Sequence, residues 1–403
     1  MIVTRLKLTN LRAIEMAEFR FQPGMNLVVG VNGVGKTSVL DALGVCLSVV
    51  VRRLNGLGGR AQTLKENMIR IGSDALEINC DVDVHERRDT CVLRKTRGSR
   101  REQWRKGKFP VAVPEAVSGD EPGGRPLAVL FSTNRAVPSE RAPGKTVAAG
   151  GVAAAFADAF ASRELRLGEF AAWMNVQEAL RGERPAAGRV LEACEEAVAR
   201  FLPGYRNLRP KGDGKPQLWI DRDATSIPVR QLSDGERGSL ALVLDLTRRL
   251  AQANPALKDP ASKAEAVVLI DEIDLHLHPR WQRQIVRNLT GAFPECQFIA
   301  TTHSPQVIGE VPHERIQVMA DGQVYSPTHS FGVDSSRVLE EIMDANPRTG
   351  EIQELLGEIS RAIGKQQYDR ARKLVTRLSE QLGESDPEVT RLRTLLDFVE
   401  GKE

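Results

Sequence analysis

The chain predicts an α/β fold on a mixed sheet, and three observations carry that prediction. First, residues 25–29 form an apolar run that breaks into Gly30-Val31-Asn32-Gly33-Val34-Gly35-Lys36-Thr37 and continues into the helical stretch Ser38-Val39-Leu40-Asp41-Ala42-Leu43. Second, residues 266–270 are continuously apolar and rich in β-branched side chains, as in strands buried on both faces of a parallel sheet. Third, apolar residues recur three and four apart through residues 152–201 and again beyond Ser335, which is helical spacing.

Taken in order, the alternating pattern of residues 2–8 and 17–21 predicts two antiparallel strands ahead of the glycine-rich loop. Residues 77–83 and 90–95 repeat the period of two, and residues 127–131 have the length and composition of a short buried strand. Between them, residues 110–126 are rich in Pro, Gly and Ala and read as a mobile connection. The helical run from 152 to 201 ends at Pro203-Gly204 and predicts an inserted helical subdomain. Strands are expected again at 218–220 and 227–229, then one long helix over 236–251 and a loop with two prolines at 254–263. A helix at 279–289, a strand at 297–300 and a short strand at 316–319 follow. Beyond Ser335 the pattern is three or four amphipathic helices, interrupted near Asn346-Pro347 and Asp386-Pro387. The expected parts are therefore 1–145 and 211–332 as two halves of one site-bearing unit with an antiparallel β lobe, 146–210 as a helical insertion, and 333–403 as a C-terminal helical extension.

With 403 residues the chain can bury a substantial core, enough for two or three domains. Hydrophobic residues are 41% and charged residues 27%, and no apolar stretch reaches the roughly 18 residues of a membrane span. The first residues lack the apolar core of a signal peptide, so a cytoplasmic location is expected. Cys46, Cys80, Cys91, Cys194 and Cys296 are far apart in sequence with no Cys-x-x-Cys pair, which predicts reduced core residues and no zinc or disulfide framework. A net charge of +3 implies no nucleic-acid binding by itself.

The chemistry begins at the glycine-rich loop. Its glycines allow successive backbone N–H groups to turn toward phosphate oxygens, and the helix that follows adds the positive end of its dipole. In its strand-to-helix setting the segment is a Walker A loop, so Lys36 is expected to reach the β- and γ-phosphates of ATP and the Thr37 hydroxyl to ligate Mg2+. Asn32, Gly33, Gly35 and Ser38 complete the expected nucleotide contacts. Asp271-Glu272 ends a buried strand, which places two carboxylates at the ligand-binding edge of a parallel sheet. Asp271 is expected to hold Mg2+, mostly through water, and Glu272 to orient and deprotonate the attacking water, a role worth about 10²–10⁴-fold in rate. Leu232-Ser233-Asp234-Gly235-Glu236-Arg237 opens the long helix and suits the gripping of a γ-phosphate, although Ser233 and Glu236 also fit a simple capping box. His303, in Thr301-Thr302-His303-Ser304-Pro305, follows another strand and is placed to sense the same phosphate.

In this order the Walker A loop, Leu-Ser-Asp-Gly-Glu, Leu-Ile-Asp-Glu-Ile-Asp and Thr-Thr-His-Ser-Pro resemble the ABC-type ATPase heads of SMC, RecF and OLD proteins, as does the opening Leu8-Thr9-Asn10-Leu11-Arg12. The resemblance implies a P-loop NTPase of ABC-ATPase head type that dimerises head to tail around ATP. It adds Arg12 to the nucleotide contacts and sets Ser233 and Gly235 on the partner copy's nucleotide, so isolated monomers should hydrolyse ATP poorly. Two departures stand out. His278 occupies the region past Glu272 where transporter-like heads often carry an Asp, and no Q-loop glutamine is evident, with Asn134 or Arg135 as candidate substitutes. His276-Leu277-His278-Pro279-Arg280-Trp281-Gln282, the short insertion and the helical tail narrow the resemblance to the PtuA-type ATPases of Septu and retron antiphage modules. That resemblance implies a homodimer or higher oligomer, an HNH nuclease partner, possible contact with DNA or retron nucleic acid, and no membrane. A long coiled coil and an Asp-x-Asp nuclease cluster after residue 330 are both missing, so a separate chain is expected to cut any DNA. The rival expectations are a RecF-like repair clamp without a toxic effector and an ATP-glued scaffold.

Residues 87–108 hold ten Lys or Arg against Asp89 and Glu102, with Trp104 among them, and form the best candidate for a DNA contact, or else a solvated hairpin face. Residues 361–382 carry an apolar stripe at helical spacing, suited to internal packing or to docking a partner protein.

Overall fold

The computed structural model describes residues 1–57, 61–84, 87–99, 103–105, 123–136, 152–162, 164–212, 215–346 and 348–400. The chain divides into two compact units, Met1–Asp334 and Ser335–Glu403.

The first unit opens with β1 (Ile2–Leu11), β2 (Ile14–Arg20) and β3 (Met25–Gly30), then α1 (Lys36–Leu54), β4 (Ala75–Val84), β5 (Arg87–Thr96) and β6 (Gln103–Arg105). Alternation makes β1, β2, β4 and β5 half-buried, and with β6 they form an antiparallel sheet in the order β2-β1-β4-β5-β6. β3 differs because Met25-Asn26-Leu27-Val28-Val29-Gly30 is buried throughout, and it belongs to the central sheet. Helix α1 joins the two: Leu43, Leu47 and Val50 share one core with Leu6, Leu8 and Ile78 of the antiparallel sheet and with Val28 and Leu269 of the central sheet.

The rest of the unit is β7 (Gly123–Phe131), α2 (Val152–Phe156), α3 (Leu167–Leu180), α4 (Pro185–Phe201), β8 (Tyr205–Lys211), β9 (Gln217–Arg222), β10 (Thr225–Pro228), α5 (Asp234–Ala253), α6 (Pro260–Lys263), β11 (Ala264–Ile270), α7 (Pro279–Ala292), β12 (Cys296–Thr302), α8 (Pro305–Ile308), β13 (Ile316–Ala320) and β14 (Gln323–Tyr325). The central sheet runs β14-β13-β3-β12-β11-β7, all parallel except β14 against β13. Its register matters for the site. Val29 lies beside Thr302, Ala300 beside Ile270, and Ile270 beside Phe131, so four strands reach the same carboxyl edge together. The loops that leave there are 30–37, 132–136, 271–278 and 303–304.

Three features differ from the sequence-based expectation. Residues 205–211 form β8, which pairs with β9 and β10 in a separate antiparallel sheet, although Pro203-Gly204 gave only a helix stop. Strand pattern was masked there by the polar run Arg206-Asn207 and the register break between Arg206 and Arg209. Helices α3 and α4 pack on α5 and on this small sheet, within the first compact unit. The cysteines also converge: Cys80 and Cys91 are cross-strand partners, and Cys46 of α1 is hydrogen-bonded with both, which together with burial pushes its thiol well above the ordinary range. Distance in sequence concealed this because α1 crosses over β4 and β5. All five cysteines are free and buried. Of the expected mobile connection at 110–126, residues 123–126 instead begin β7, while 110–122 and the basic residues Arg100, Arg101, Lys106 and Lys108 lie outside the described residues.

The second unit contains α9 (Ser335–Glu341), α10 (Gly350–Gly364), α11 (Tyr368–Leu382) and α12 (Pro387–Val399). The 361–382 stripe is internal packing: Ala362, Ala371, Val375 and Leu378 bury against Leu355, Ile359, Leu392 and Leu396. Asp386 ends the preceding turn and caps α12 by accepting from the N–H groups of Glu388 and Val389, with Pro387 at the first helical position where its missing N–H costs nothing. Among the described residues, no helix is long and apolar enough to cross a membrane.

Helix α5 carries the most demanding electrostatics of the fold. Asp245 and Arg249 are each 1% exposed and bonded at 2.8 Å, Arg248 donates to the same carboxylate at 2.7 Å, and Arg249 also donates to the carbonyls of Ala155 and Ala157. Asp245→Ala would leave two buried guanidiniums facing a lost anion, so stability should fall by about 3–5 kcal/mol. Chemical denaturation of the wild type and the variant measures this directly, and an unchanged midpoint would contradict it.

Candidate nucleotide site

The phosphate loop follows β3 as a turn whose backbone needs glycine: Gly35 has φ 109° at the start of α1, a conformation that a side chain disfavours. Asn32 and Gly33 are exposed on the loop, and Thr37 is exposed in the first turn of α1. Lys36 is 7% exposed, and its Nζ donates to the carbonyls of Gly30 at 2.8 Å and Val31 at 3.0 Å. Burial lowers its pKa, while the charges of Asp271, Glu272 and Asp274 oppose that shift. The ammonium is thus held inside its own loop, in reach of the carboxylates across the sheet edge.

Asp271 gathers the site. Its Oδ2 accepts from the Thr37 hydroxyl at 3.0 Å and its Oδ1 from the Thr301 hydroxyl at 2.7 Å, so three of the strand ends meet on one buried carboxylate. Thr301 Oγ1 in turn accepts from the Glu272 N–H at 2.7 Å. Glu272 lies in the left-handed region at φ 49°, which for a non-glycine residue costs on the order of 1–3 kcal/mol and persists only where surroundings enforce it. Next along, Asp274 Oδ1 accepts from Thr302 Oγ1 at 2.6 Å and from the His303 N–H at 3.4 Å. The imidazole of His303 has a lowered pKa, from burial first and from the nearby Lys36 charge second, partly offset by the three carboxylates.

Arg12, itself at φ 48°, donates to Ser38 Oγ at 3.0 Å and to Asp41 at 2.8 Å, which places it on the first turns of α1. Ser38 is buried beneath it. The two Q-loop candidates separate. Asn134 donates to Ser162 Oγ, whereas Arg135 is buried and donates to the main-chain carbonyls of Asp271 at 2.5 Å and Glu272 at 2.7 Å. Sequence gave no reason to single out Thr301, and it offered Arg135 only by its place after a strand.

Ser233 is the N-cap of α5 and Gly235 lies in its first turn. Ser233 is exposed, and the capping box is complete: its hydroxyl and N–H both donate to Glu236 Oε2, at 2.7 and 2.9 Å, and its oxygen accepts from the Glu236 N–H. Tyr205 of β8 donates to the other oxygen of Glu236 at 2.8 Å. Burial would raise the Glu236 pKa, but these hydrogen bonds outweigh it and hold the carboxyl below its ordinary value. Gly235 has a steric role of its own, since a Cβ there would come within 2.5 Å of the His276 carbonyl. His278 is the N-cap of α7, its Nδ1 accepting from the Arg280 N–H.

Of the basic stretch, Arg88 pairs with Asp83, Lys95 donates to the Ser99 carbonyl, and Arg97 donates to the carbonyls of Ser73 and Arg70, while Arg87 and Arg94 are exposed.

No ligand is needed to test whether Mg2+ suits these groups. Thr37 directs its only proton at Asp271, which leaves its oxygen lone pairs available to a hard cation beside a carboxylate, the oxygen-only set Mg2+ prefers. Among the described residues no cluster of three or more His, Cys, Asp or Glu could hold a metal ion.

A phosphate loop after one central strand, an acidic pair ending the next strand but one, and an antiparallel lobe packed over the intervening helix define a P-loop NTPase of ABC-ATPase head type. Residues 196–309 match an AAA-domain family whose description names the AbiEii toxin of a type IV TA system, and residues 5–111 match a second AAA-domain family. The chain resembles the PtuA-type ATPases of Septu and retron modules. It is 37% identical over 223 residues to "Retron Ec83 probable ATPase" of Escherichia coli, covering 54% of this chain and 41% of that protein. It is 22% identical over 417 residues to "Septu protein PtuA" of Bacillus thuringiensis, covering 98% of this chain and 97% of that protein. A solved SMC head bound to the C-winged helix domain of ScpA aligns with TM-score 0.49 at 16% identity, over 81% of this chain and 98% of that one. This chain spans about two fifths of the length of the retron ATPase.

Because Lys36 contributes to lowering the His303 pKa, Lys36→Ala should move the His303 titration upward toward the ordinary histidine value. NMR titration of the imidazole resonances of both proteins reads this out, and an unchanged His303 titration would show that the two groups do not sense each other.

Proposed function

We propose that this chain binds ATP with Mg2+ and hydrolyses it in the cytoplasm as the ATPase subunit of an antiphage module, closing as a dimer around ATP to control a separate HNH-type nuclease. The convergence of Thr37, Thr301 and the Glu272 backbone on Asp271 is the observation that carries the catalytic part. The names of the retron and Septu relatives support the biological setting.

In this reading the N–H groups of the loop around Gly33 and Gly35 hold phosphate oxygens, and Lys36 transfers its hydrogen bonds from the Gly30 and Val31 carbonyls to the β- and γ-phosphates. Thr37 and Asp271 would hold Mg2+, which neutralises phosphate charge and polarises the γ-phosphoryl group. Glu272 accepts a proton from the attacking water, and His303, kept neutral by burial and by Lys36, contacts the γ-phosphate without repelling the ammonium beside it. Arg12 lies close enough to the first turn of α1, through Ser38, to add a cation to the nucleotide's phosphates. The exposed Ser233 and, in the first turn of α5, Gly235 act on the nucleotide of the second copy. Any DNA or retron nucleic acid would be met by the exposed Arg87 and Arg94 and their basic neighbours.

Two substitutions separate binding from turnover. Glu272→Gln should retain ATP and accumulate as an ATP-bound dimer while hydrolysis falls by about 10²–10⁴-fold. Lys36→Ala should lose ATP binding itself. Equilibrium nucleotide titration, light scattering and phosphate release measure the three quantities, and wild-type phosphate release by either variant, or equal ATP affinity in both, would reject the assignment.

A further inference from the structure

Arg135 is a buried cation at the sheet edge, beside the acidic pair. It leaves β7 through the turn Ser132–Ala136 and is 6% exposed, yet its hydrogen bonds go to neutral carbonyls: one Nη to Phe131, Ser132 and Asp271, the other to Glu272 at 2.7 Å. A buried cation on carbonyls alone is an expensive way to finish a strand. The cost is offset because its charge faces Asp271, Asp274 and Glu272; burial pushes its pKa down to about 10 against their pull, so it stays protonated at neutral pH.

The carbonyls it holds are those of the acidic pair. Glu272 adopts φ 49°, and its peptide groups are fixed from two sides, by Thr301 Oγ1 on the N–H and by Arg135 on the carbonyl. Behind Arg135 lies a cavity of only 20 Å³, shared with Gly235 and Leu277, too small for the side chain to swing into. A guanidinium meets the two successive carbonyls with separate nitrogens held in one rigid plane, whereas a lysine ammonium would have to serve both from a single nitrogen on a flexible stem.

Resting on the reading of Glu272 as the group that orients water, we propose that Arg135 is a positioning residue for hydrolysis, whose guanidinium fork clamps the Asp271 and Glu272 carbonyls and so holds the left-handed backbone that carries the Glu272 carboxylate. It makes no demand on nucleotide binding. Its loss therefore falls on turnover.

The test compares wild type, Arg135→Lys and Arg135→Met for ATP affinity, by equilibrium titration with a fluorescent ATP analogue, and for single-turnover hydrolysis. Both variants should bind within about twofold of wild type and hydrolyse about 10²-fold more slowly, the scale expected when a reacting group is displaced by roughly 1 Å. Thermal melting guards against misfolding, and Arg135→Lys, which keeps the charge and nearly the volume, carries the test if Arg135→Met does not fold. Wild-type turnover in Arg135→Lys would overturn the proposal, since charge alone would then suffice, as would a loss confined to ATP affinity. A wild-type protein that binds ATP without hydrolysing it would remove the role of Glu272 first and that of Arg135 with it. Hydrolysis in wild type that the variants share would remove Arg135 alone.

Discussion

A carboxylate taken out of water must find donors in the protein, and Asp271 finds them in two threonine hydroxyls from other strand ends. This constraint ties the Walker A helix to β11 and β12 in one step. Thr37 has a single proton, so bonding to Asp271 fixes which way its hydroxyl points and leaves its lone pairs facing outward. Thr301 has a single proton as well; it goes to Asp271, and the oxygen is then free to accept the Glu272 N–H. The orientation of two hydroxyls and the strained backbone of one glutamate thus follow from satisfying one buried anion.

The same edge holds opposed charges before any nucleotide arrives. Lys36 and Arg135 are both buried, which depresses both, and three carboxylates within their field counter that tendency. The cations are satisfied by main-chain carbonyls, Asp271 by hydroxyls and Asp274 by a hydroxyl and the His303 N–H, so these groups face each other without collapsing into direct ion pairs in the hydrogen-bond network described for them. Such an arrangement is preorganised in the sense that matters for phosphate chemistry, because donors and acceptors are held by backbone and do not have to be drawn from solvent.

Much of this was legible in the sequence, for physical reasons that differ by element. The phosphate loop could be read because its geometry demands glycines at fixed spacing, and β3, β11 and β12 because strands buried on both faces are mostly apolar. The cap of α5 could be read as well, since Ser233 and Glu236 interact locally over three residues. Thr301 could not be singled out, because its significance lies in a register between strands that puts it beside Asp271 and far from it in sequence. Arg135 was visible only as a basic residue after a strand; that it faces carbonyls of the acidic pair is a tertiary fact. The meeting of Cys46, Cys80 and Cys91 was hidden in the same way, as neither strand pairing nor the crossing of α1 is written in cysteine spacing.

The start of α5 shows how two such readings combine. Glu236 receives three hydrogen bonds from Ser233 and Tyr205, so the loop is braced from its own helix and from the small β8–β10 sheet. Gly235 closes the other side, because the His276 carbonyl occupies the space a Cβ would need. His276 lies in the turn that begins at Glu272, where Leu275 N–H returns to the Glu272 carbonyl and Leu277 N–H to Asp274. The α5 start therefore packs against the backbone of this turn, whose residues Arg135, Thr301 and Thr302 also hold. Contact of this kind sets the start of α5 directly against the turn that carries Glu272, even though no side chain of one bonds to a side chain of the other in the networks that define them.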